Sequence, residues 1–152
     1  MEVPTADAMR ALGGRFAGAL QVAAVTEPLL ITLSGDLGAG KTTFVAGLLA
    51  ALGHAGAVRS PTYTLIEPYR LGTREVYHCD LYRLRHPDEL EDLGLREAAR
   101  DHAVLLVEWP ERAAGRLGTA DITLHFAYAG ETGRRVSWEA PTAAGRAVLG
   151  HI

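Results

Sequence analysis

The stretch ITLSGDLGAGKTTFVAGLL, residues 31–49, decides the fold class. Within it, residues 35–42 fit the pattern G-x-x-x-x-G-K-[ST], whose glycines let backbone N–H groups approach phosphate oxygens closely. A short apolar run at residues 29–33 precedes the loop and predicts a buried strand, and a helix is predicted over residues 41–52. The N-terminus of such a helix favours negative charge. The stretch therefore predicts a phosphate-binding loop between a strand and a helix.

The residues of this loop have distinct expected roles. Lys41 is expected to contact the β- and γ-phosphates of a nucleotide, and the Thr42 hydroxyl to complete a Mg²⁺ site. The chain has 15 lysine and arginine residues, and Lys41 is its only lysine, where a compact ammonium suits a phosphate cradle. Because the loop is expected to be exposed, replacement of Lys41 is expected to leave the fold intact. The residues predicted to bind the nucleotide are Asp36, Leu37, Gly38, Ala39, Gly40, Lys41, Thr42 and Thr43.

Two later apolar segments end in acidic residues. VYHCDLYR contains Asp80, and AVLLVEWPE contains Glu108, each at the end of a predicted strand. Ligands bind at the carboxyl edge of open α/β sheets, and a phosphoryl-transfer site needs a carboxylate to help hold Mg²⁺. Lys41, Asp80 and Glu108 are therefore the predicted catalytic residues, and Thr42 and Glu108 the predicted metal ligands. Asp80 is expected to bind the metal through water or to orient the attacking water, and the two acids could exchange roles.

Three further features bear on the site, and two of them leave alternatives open. Trp109 either packs at its strand end or contacts a partner or the nucleotide. We interpret His78 as structural, because a zinc site would need further ligands at suitable spacing. The segment SPTYTL spans residues 60–65. Its first three residues, 60–62, form either a plain proline turn or a segment that senses the γ-phosphate.

The rest of the chain predicts an α/β protein. A helix is predicted over residues 6–20, capped by Thr5 or Asp7, and residues 87–94 have the character of a helix start with a glycine stop. Residues 141–152 predict a weak helix or a tail. Together the elements indicate a P-loop NTPase-like three-layer sandwich with a mixed, partly parallel central sheet. Further strands are predicted over residues 63–69, 75–79, 103–107, 122–128 and 135–140.

Composition excludes several classes of protein. With 152 residues, 48% of them hydrophobic, the chain is expected to form a single P-loop ATPase domain over residues 1–152. A net charge of −3 does not favour a dedicated nucleic-acid binder. No apolar stretch is long enough to span a membrane, and no secretory signal is expected at the start. Since Cys79 is the only cysteine, no internal disulfide can form, and a cytoplasmic location is expected.

Other phosphate-loop proteins fit less well. The chain has no asparagine, so the Asn-Lys-x-Asp guanine reader of GTPases is absent. No protein-kinase signature occurs either. A small-molecule kinase would need a lid, for which Arg83 and Arg85 offer only a short segment. This kinase and a non-catalytic nucleotide-binding module remain the alternatives to an ATPase.

Five stretches in one order, GDLGAGKTTF, SPTYTL, YHCDLYRL, EDLGL and LVEWPE, resemble the TsaE (YjeE) family, the small bacterial ATPases of threonylcarbamoyl-adenosine tRNA modification. The resemblance covers about residues 4–111 and is weak beyond residue 120. Cys79 departs from it, because the family more often has phenylalanine or methionine there. The resemblance implies that ATP is hydrolysed with Mg²⁺, that Thr42 and Glu108 hold the metal, and that Asp80 matters for hydrolysis. It also implies a switch-like role for residues 60–62, a position of Trp109 beside the site, and Thr5 and Ala6 near the adenine.

The resemblance also implies partners. They are TsaB and TsaD-like proteins of the tRNA threonylcarbamoyl transferase complex, which the ATPase is expected to reset between turnovers, with tRNA involved only indirectly. The sequence shows no obvious arginine finger in the loop, and such fingers can supply roughly 10³–10⁵ in rate. Hydrolysis by the chain alone is therefore expected to be slow and to be stimulated by partner proteins.

Overall fold

The computed structural model describes residues 1–61 and 63–152, which form a seven-stranded sheet in the order β1-β7-β6-β2-β5-β4-β3. Neighbouring strands are parallel in the pairs β4–β5, β5–β2 and β2–β6, and antiparallel in β3–β4, β6–β7 and β1–β7. The predicted mixed, partly parallel sheet is confirmed. The strands are β1 (Glu2–Val3), β2 (Leu29–Gly35), β3 (Ile66–Leu71), β4 (Arg74–Asp80), β5 (Ala103–Glu108), β6 (Ile122–Ala129) and β7 (Gly133–Glu139).

The central strands bring the predicted acids to one edge of the sheet. All six residues of β5 are buried, as the apolar run AVLLVE predicts for a strand covered on both faces. In the parallel register, Glu108 pairs with Leu33 of β2 on one side and with Asp80 of β4 on the other. The carboxyl ends of β2, β5 and β4 therefore lie side by side.

One face of the sheet is covered by α1 (Ala6–Val22), α2 (Lys41–Ala51) and α4 (Ala143–Leu149). The first two helices pack at close range, because a Cβ on Gly13 would lie 2.2 Å from the carbonyl oxygen of Phe44. Phe16 of α1 meets Phe44 of α2 edge to face, with ring centroids 5.2 Å apart. The main buried core lies between these helices and the sheet.

The opposite face carries a thinner layer. It consists of the short helix α3 (Leu95–Ala98) and two 3₁₀ helices, Pro87–Leu93 and Pro110–Ala113. Cys79 and other odd-numbered strand residues pack beneath these segments in a second buried cluster. The three-layer arrangement is therefore confirmed, with a third layer of short helical turns.

Several element boundaries differ from the predictions. The strand predicted over residues 63–69 begins only at Ile66, because Leu65 takes a left-handed φ of 60° and turns the chain. The short elements β1 and α3 were not predicted, since they have too few residues for a periodic pattern. Thr5 is the cap of α1, and its Oγ1 accepts a hydrogen bond of 3.1 Å from the Ala8 N–H. The C-terminal segment forms α4 rather than a tail.

Within residues 1–61 and 63–152, no helix is long and apolar enough to cross a membrane.

Candidate functional site

The predicted phosphate loop joins β2 to α2 at the carboxyl edge of the sheet. Gly38 and Gly40 have φ values of 76° and 103°, a left-handed conformation that side-chain-bearing residues rarely adopt. A Cβ on Gly40 would also lie 3.0 Å from Met9 Cε, so α1 supports the loop from behind. The glycines are therefore required for this turn, and the N-terminus of α2 faces the loop's interior.

Lys41 is buried, whereas the phosphate loop was expected to leave it exposed. Lys41 is only 5% exposed. Its Nζ donates hydrogen bonds to the carbonyl oxygens of Gly35 (2.5 Å) and Asp36 (3.0 Å). The same Nζ lies 4.1 Å from the centroid of the Trp109 ring. Lys41, at the end of the loop, is thus hydrogen-bonded to the start of the loop, and it packs on Trp109 at the end of β5.

The electrostatic environment of Lys41 combines two opposing effects. Burial lowers the pKa of its ammonium below the ordinary value, while the negative charges of Glu108 and Asp80 raise it in part. Two acids therefore lie close enough to the lysine to influence its charge. A cation placed between such acids and an open loop is suited to binding a phosphate anion.

Trp109 both packs and forms part of the site. It follows β5 directly, and its left-handed φ of 58° turns the chain there, while its N–H donates to the Leu33 carbonyl oxygen at 3.2 Å. The ring contacts Lys41 on one side and lies 4.9 Å, between centroids, from Tyr82. A left-handed backbone in a bulky residue is costly, and such strain concentrates at functional sites.

The two predicted metal ligands are in direct contact. The Thr42 hydroxyl donates to Glu108 Oε1 at 2.9 Å, and Glu108 is only 2% exposed. Hydroxyl and carboxylate oxygens are the hard donors that Mg²⁺ prefers. Among the described residues, no group of three or more His, Cys, Asp or Glu could hold a metal. This donor set fits Mg²⁺, which commonly takes only one or two protein ligands and completes its shell with water and phosphate oxygens.

His78 has a specific partner that the sequence analysis missed. Its Nε2 lies 2.8 Å from the same Glu108 Oε1, and the histidine is fully buried. The other ring nitrogen, Nδ1, is buried and has no hydrogen-bond partner in the part of the chain that the structure describes. The sequence carries only part of this signal: His78 and Asp80 are two residues apart on one strand and so share a face, but the contact with Glu108 depends on the pairing of β4 with β5.

Asp80 lies at the end of β4, directly opposite Glu108 in the register. One of its carboxylate oxygens accepts a hydrogen bond from the Ser60 hydroxyl, and the other accepts one from the Tyr82 N–H at 2.9 Å. The segment that carries Ser60 and Pro61 therefore reaches the edge of the sheet. The prediction for Thr62 lies outside the described residues.

A cavity of about 380 Å³ opens over these residues. Lys41, Asp80 and Glu108, the predicted catalytic residues, all line it, whereas Asp36 and Ala39 do not. Tyr82 and Arg83 also line the cavity. They follow Asp80 closely in the sequence but were not predicted to belong to the site. Thr5 and Ala6, implied to lie near an adenine, are outside its lining. The other lining residues predicted from the loop are Leu37, Gly38, Gly40, Thr42 and Thr43.

Comparison with known proteins identifies the family of this chain. The model of the family described as "Threonylcarbamoyl adenosine biosynthesis protein TsaE" matches residues 3–136. The chain belongs to the TsaE family. The TsaE match extends past the motifs on which the resemblance rests, into the β6–β7 hairpin.

Individual TsaE proteins are similar over most of the chain. The relative from Haemophilus influenzae, named as a tRNA threonylcarbamoyladenosine biosynthesis protein, is 42% identical over 126 residues, which cover 83% of this chain and 80% of the relative. The relative of the same name from Bacillus subtilis is 41% identical over 111 residues, covering 73% and 69%. The crystal structure of Bacillus subtilis YdiB superposes with a TM-score of 0.76 at 27% identity, covering 99% of this chain and 90% of that one. The predicted fold class and the TsaE resemblance are therefore confirmed.

Proposed function

We propose that this protein is a Mg²⁺-dependent ATPase that acts as a nucleotide switch in the formation of threonylcarbamoyl adenosine in tRNA. The names of its relatives place them in the biosynthesis of this modified nucleoside. The observation that carries the ATPase proposal is the contact of Thr42 with Glu108 beside the buried ammonium of Lys41. A hydroxyl, a carboxylate and an ammonium meet there at the mouth of a glycine-rich loop.

The proposed nucleotide binds with its phosphates on the loop. Lys41 reorients from the carbonyl oxygens of Gly35 and Asp36 toward the β- and γ-phosphates, and the loop N–H groups supply further donors. Desolvation makes the lysine a stronger partner for a phosphate than it would be in water, because charges interact more strongly in a less polar medium.

Thr42 and Glu108 would hold the Mg²⁺ ion, which supplies neutralisation of the charge that develops on the phosphate oxygens. His78 restricts the Glu108 carboxylate by its hydrogen bond at 2.8 Å, so that this oxygen has a defined position before the metal arrives. The oxygen donors of the site therefore need little rearrangement on binding.

Asp80 is proposed to act on the attacking water, either as a hydrogen-bond acceptor that orients it or through a water bound to the metal. Its contact with the Ser60 hydroxyl links it to the segment that follows α2. A change at the γ-phosphate would thereby reach this segment, which is the basis for the proposed switch.

The isolated chain is proposed to hydrolyse ATP slowly. Arg83 lines the cavity, but its guanidinium carbon lies 5.5 Å from the ring centroid of Tyr63, an exposed residue that is not part of the cavity lining. We propose that TsaB and TsaD-like proteins of the tRNA threonylcarbamoyl transferase complex stimulate the reaction, with tRNA involved only indirectly. The proposal includes a cytoplasmic location, since tRNA is the final substrate of the process.

A small-molecule kinase gains no support from the cavity at the starts of β2 and β5. A second cavity of about 260 Å³ is lined by Leu29, Leu30 and Leu105, which lie near the starts of β2 and β5. The phosphate loop follows the opposite end of β2. A phosphoryl acceptor bound in that cavity would be separated from the loop by the length of the strand.

An ATPase assay with and without the TsaB and TsaD-like proteins of the same organism tests the proposal. We expect slow release of phosphate that requires Mg²⁺ and rises when the partner proteins are added. Fast turnover by the isolated chain would contradict the switch, and a phosphorylated nucleoside or sugar in a product screen would favour a kinase. Tight ATP binding without any hydrolysis, in both conditions, would indicate a non-catalytic module.

A further inference from the structure

The hairpin formed by β6 and β7 reaches past the end of β2 and lies against the outside of the phosphate loop. The last paired residue of β2 is Gly35, opposite Phe126 of β6. Two residues further along β6 stands Tyr128, which pairs across the hairpin with Arg134 of β7. The register of the sheet therefore places a phenol and a guanidinium beside the loop.

Both side chains donate hydrogen bonds to loop carbonyl groups. The Tyr128 hydroxyl donates to the Leu37 carbonyl oxygen at 2.7 Å. Arg134 donates to the Gly38 carbonyl oxygen from Nε at 3.3 Å and from Nη2 at 3.1 Å. A Cβ on Gly38 would lie 2.8 Å from the Tyr128 hydroxyl, so the hairpin approaches the loop closely at this glycine.

The donors are themselves held in position. The guanidinium carbon of Arg134 lies 4.2 Å from the centroid of the Tyr128 ring. Arg134 Nη1 also donates to the carbonyl oxygens of Thr132 and Gly133, at 3.0 Å and 2.8 Å. A planar guanidinium with donors engaged on two sides presents a fixed edge to the loop. We name Tyr128 and Arg134 the hairpin clamp.

Holding a carbonyl group also orients the N–H group of the same peptide. The peptide bond is planar and trans, so its C=O and N–H point in opposite directions. With the Leu37 carbonyl held by the hairpin, the Gly38 N–H points away from it, and among the described residues it makes no hydrogen bond. With the Gly38 carbonyl held, the Ala39 N–H points back across the loop and donates to the Asp36 carbonyl oxygen at 3.1 Å.

We propose that the hairpin clamp is a positioning device for phosphate binding, which holds the two peptide groups on either side of Gly38 so that its N–H faces a bound phosphate. The inference rests on the proposed nucleotide-binding function. Gly38 lines the cavity, whereas the clamp donates to carbonyl groups on the outer side of the loop. A loop held in this way loses less conformational entropy when the phosphate binds.

Calorimetric titration with ADP in the presence of Mg²⁺ tests the clamp. Tyr128→Phe removes only a hydroxyl, and Arg134→Gln removes the guanidinium. Each is expected to weaken ADP binding by about tenfold, the effect of losing roughly one hydrogen bond to a charged or well-positioned group. Arg135→Gln is the matched control, because Arg135 is the next residue along β7, is exposed, and pairs instead with Glu2 at 3.2 Å. It is expected to bind ADP as the wild type does.

A charge-conserving variant separates positioning from direct attraction between Arg134 and the phosphates. Arg134→Lys keeps the positive charge but loses the planar guanidinium and its paired donors. Its binding of ADP is therefore expected to remain weaker than that of the wild type. Full recovery in Arg134→Lys, together with wild-type binding by Tyr128→Phe, would overturn the clamp. In the ATPase assay, the clamp variants are expected to raise KM for ATP while kcat changes less.

Amide hydrogen exchange of the nucleotide-free protein provides a second readout that does not depend on binding. Exchange at residues 37–40 is expected to be faster in Tyr128→Phe and Arg134→Gln than in the wild type, while the paired residues of β2 and β5 exchange as before. Unchanged exchange at residues 37–40 would overturn the clamp. Failure of the wild type to bind ADP would instead overturn the proposed function, so the two failures are distinguishable.

Discussion

His78 Nε2 lies 2.8 Å from Glu108 Oε1, the same oxygen that accepts the Thr42 hydroxyl at 2.9 Å. The histidine comes from β4 and the glutamate from its parallel neighbour β5, and both are buried. When Glu108 is ionised, as a metal ligand must be, it can only accept, and Nε2 is then the donor in this contact. The contact fixes the orientation of the acid that the proposed reaction depends on.

Replacement of His78 by leucine is expected to impair both stability and activity. Loss of the donor leaves Glu108 buried with one partner fewer, which should lower the free energy of unfolding by about 1–3 kcal/mol. Hydrolysis should fall roughly tenfold, as is typical when a residue that supports a metal ligand is removed. Urea unfolding and phosphate release measure the two effects. His151→Leu, at an exposed position near the C-terminus, is the control, and equal behaviour of the two variants would contradict the role of His78.

Glu108→Gln tests the proposed metal ligand. Glutamine keeps the size of the side chain and can still accept from Thr42, but it lacks the charge that Mg²⁺ requires. We expect hydrolysis to fall about 100-fold or more, while ATP binding measured by calorimetry persists. Glu111→Gln, an exposed residue three positions further along, should hydrolyse ATP as the wild type does. Undiminished hydrolysis by Glu108→Gln would remove this acid from the site.

Lys41→Ala and Lys41→Met separate the charge of the lysine from its packing. Both remove the ammonium, so both should lose tight nucleotide binding in a titration. Methionine keeps a long chain against Trp109, whereas alanine leaves a gap, so the alanine variant should be less stable than the methionine variant by about 2 kcal/mol. Equal unfolding midpoints for the two variants would show that the packing of Lys41 does not matter, and micromolar ATP affinity in either would contradict the phosphate role.

Substitution by alanine is expected to have opposite effects on stability at two glycines of α1. Gly13→Ala would force a methyl group to within 2.2 Å of the Phe44 carbonyl oxygen, and so should lower the free energy of unfolding by about 2 kcal/mol. Gly18→Ala meets no atom within 4 Å and should raise it by about 0.5–1 kcal/mol, because alanine favours the helix. Denaturant unfolding of both variants checks the signs. A stabilising Gly13→Ala would contradict the close packing of α1 on α2.

Cys79 is expected to be inert in the folded protein. Burial, with the nearby charge of Asp80, raises the pKa of its thiol to about 12, so the reactive thiolate is not formed at neutral pH. Labelling by a thiol reagent at pH 8 should be at least about 100-fold slower than in the urea-unfolded chain, since it requires opening of the core. It is the chain's only thiol, so the signal has one source. Rapid labelling without denaturant would contradict the burial of β4.

The same shift predicts how stability changes in alkali. The ordinary thiol pKa is 9.0 and that of folded Cys79 is about 12, so between these values the folded state holds a proton that the unfolded state releases. The contribution of this group to stability is therefore complete below about pH 9 and falls as the pH rises toward 12. Cys79→Ala should show a smaller loss of stability over this window in unfolding measurements.

The elements that were predicted correctly are those whose sequence patterns lie within a few contiguous residues. The loop, the start of α2 at Lys41 and the strand ends at Asp80 and Glu108 were all predicted from contiguous residues, and the structure places them as expected. Strand 63–69 was misplaced at its start, because the left-handed turn at Leu65 leaves no signal in composition. The short elements β1 and α3 were not predicted, because they have too few residues to show a periodic pattern.

By itself, the sequence determined which chemistry the protein carries: a glycine-rich loop, its single lysine, and two acids at strand ends. Tertiary structure alone decided that Lys41 is buried, that His78 contacts Glu108, and that Tyr128 and Arg134 hold the loop from outside. A local motif is specified by steric and hydrogen-bonding preferences over a few residues. Contacts between residues 30 to 96 positions apart depend instead on the order and register of the strands, which only the folded sheet establishes.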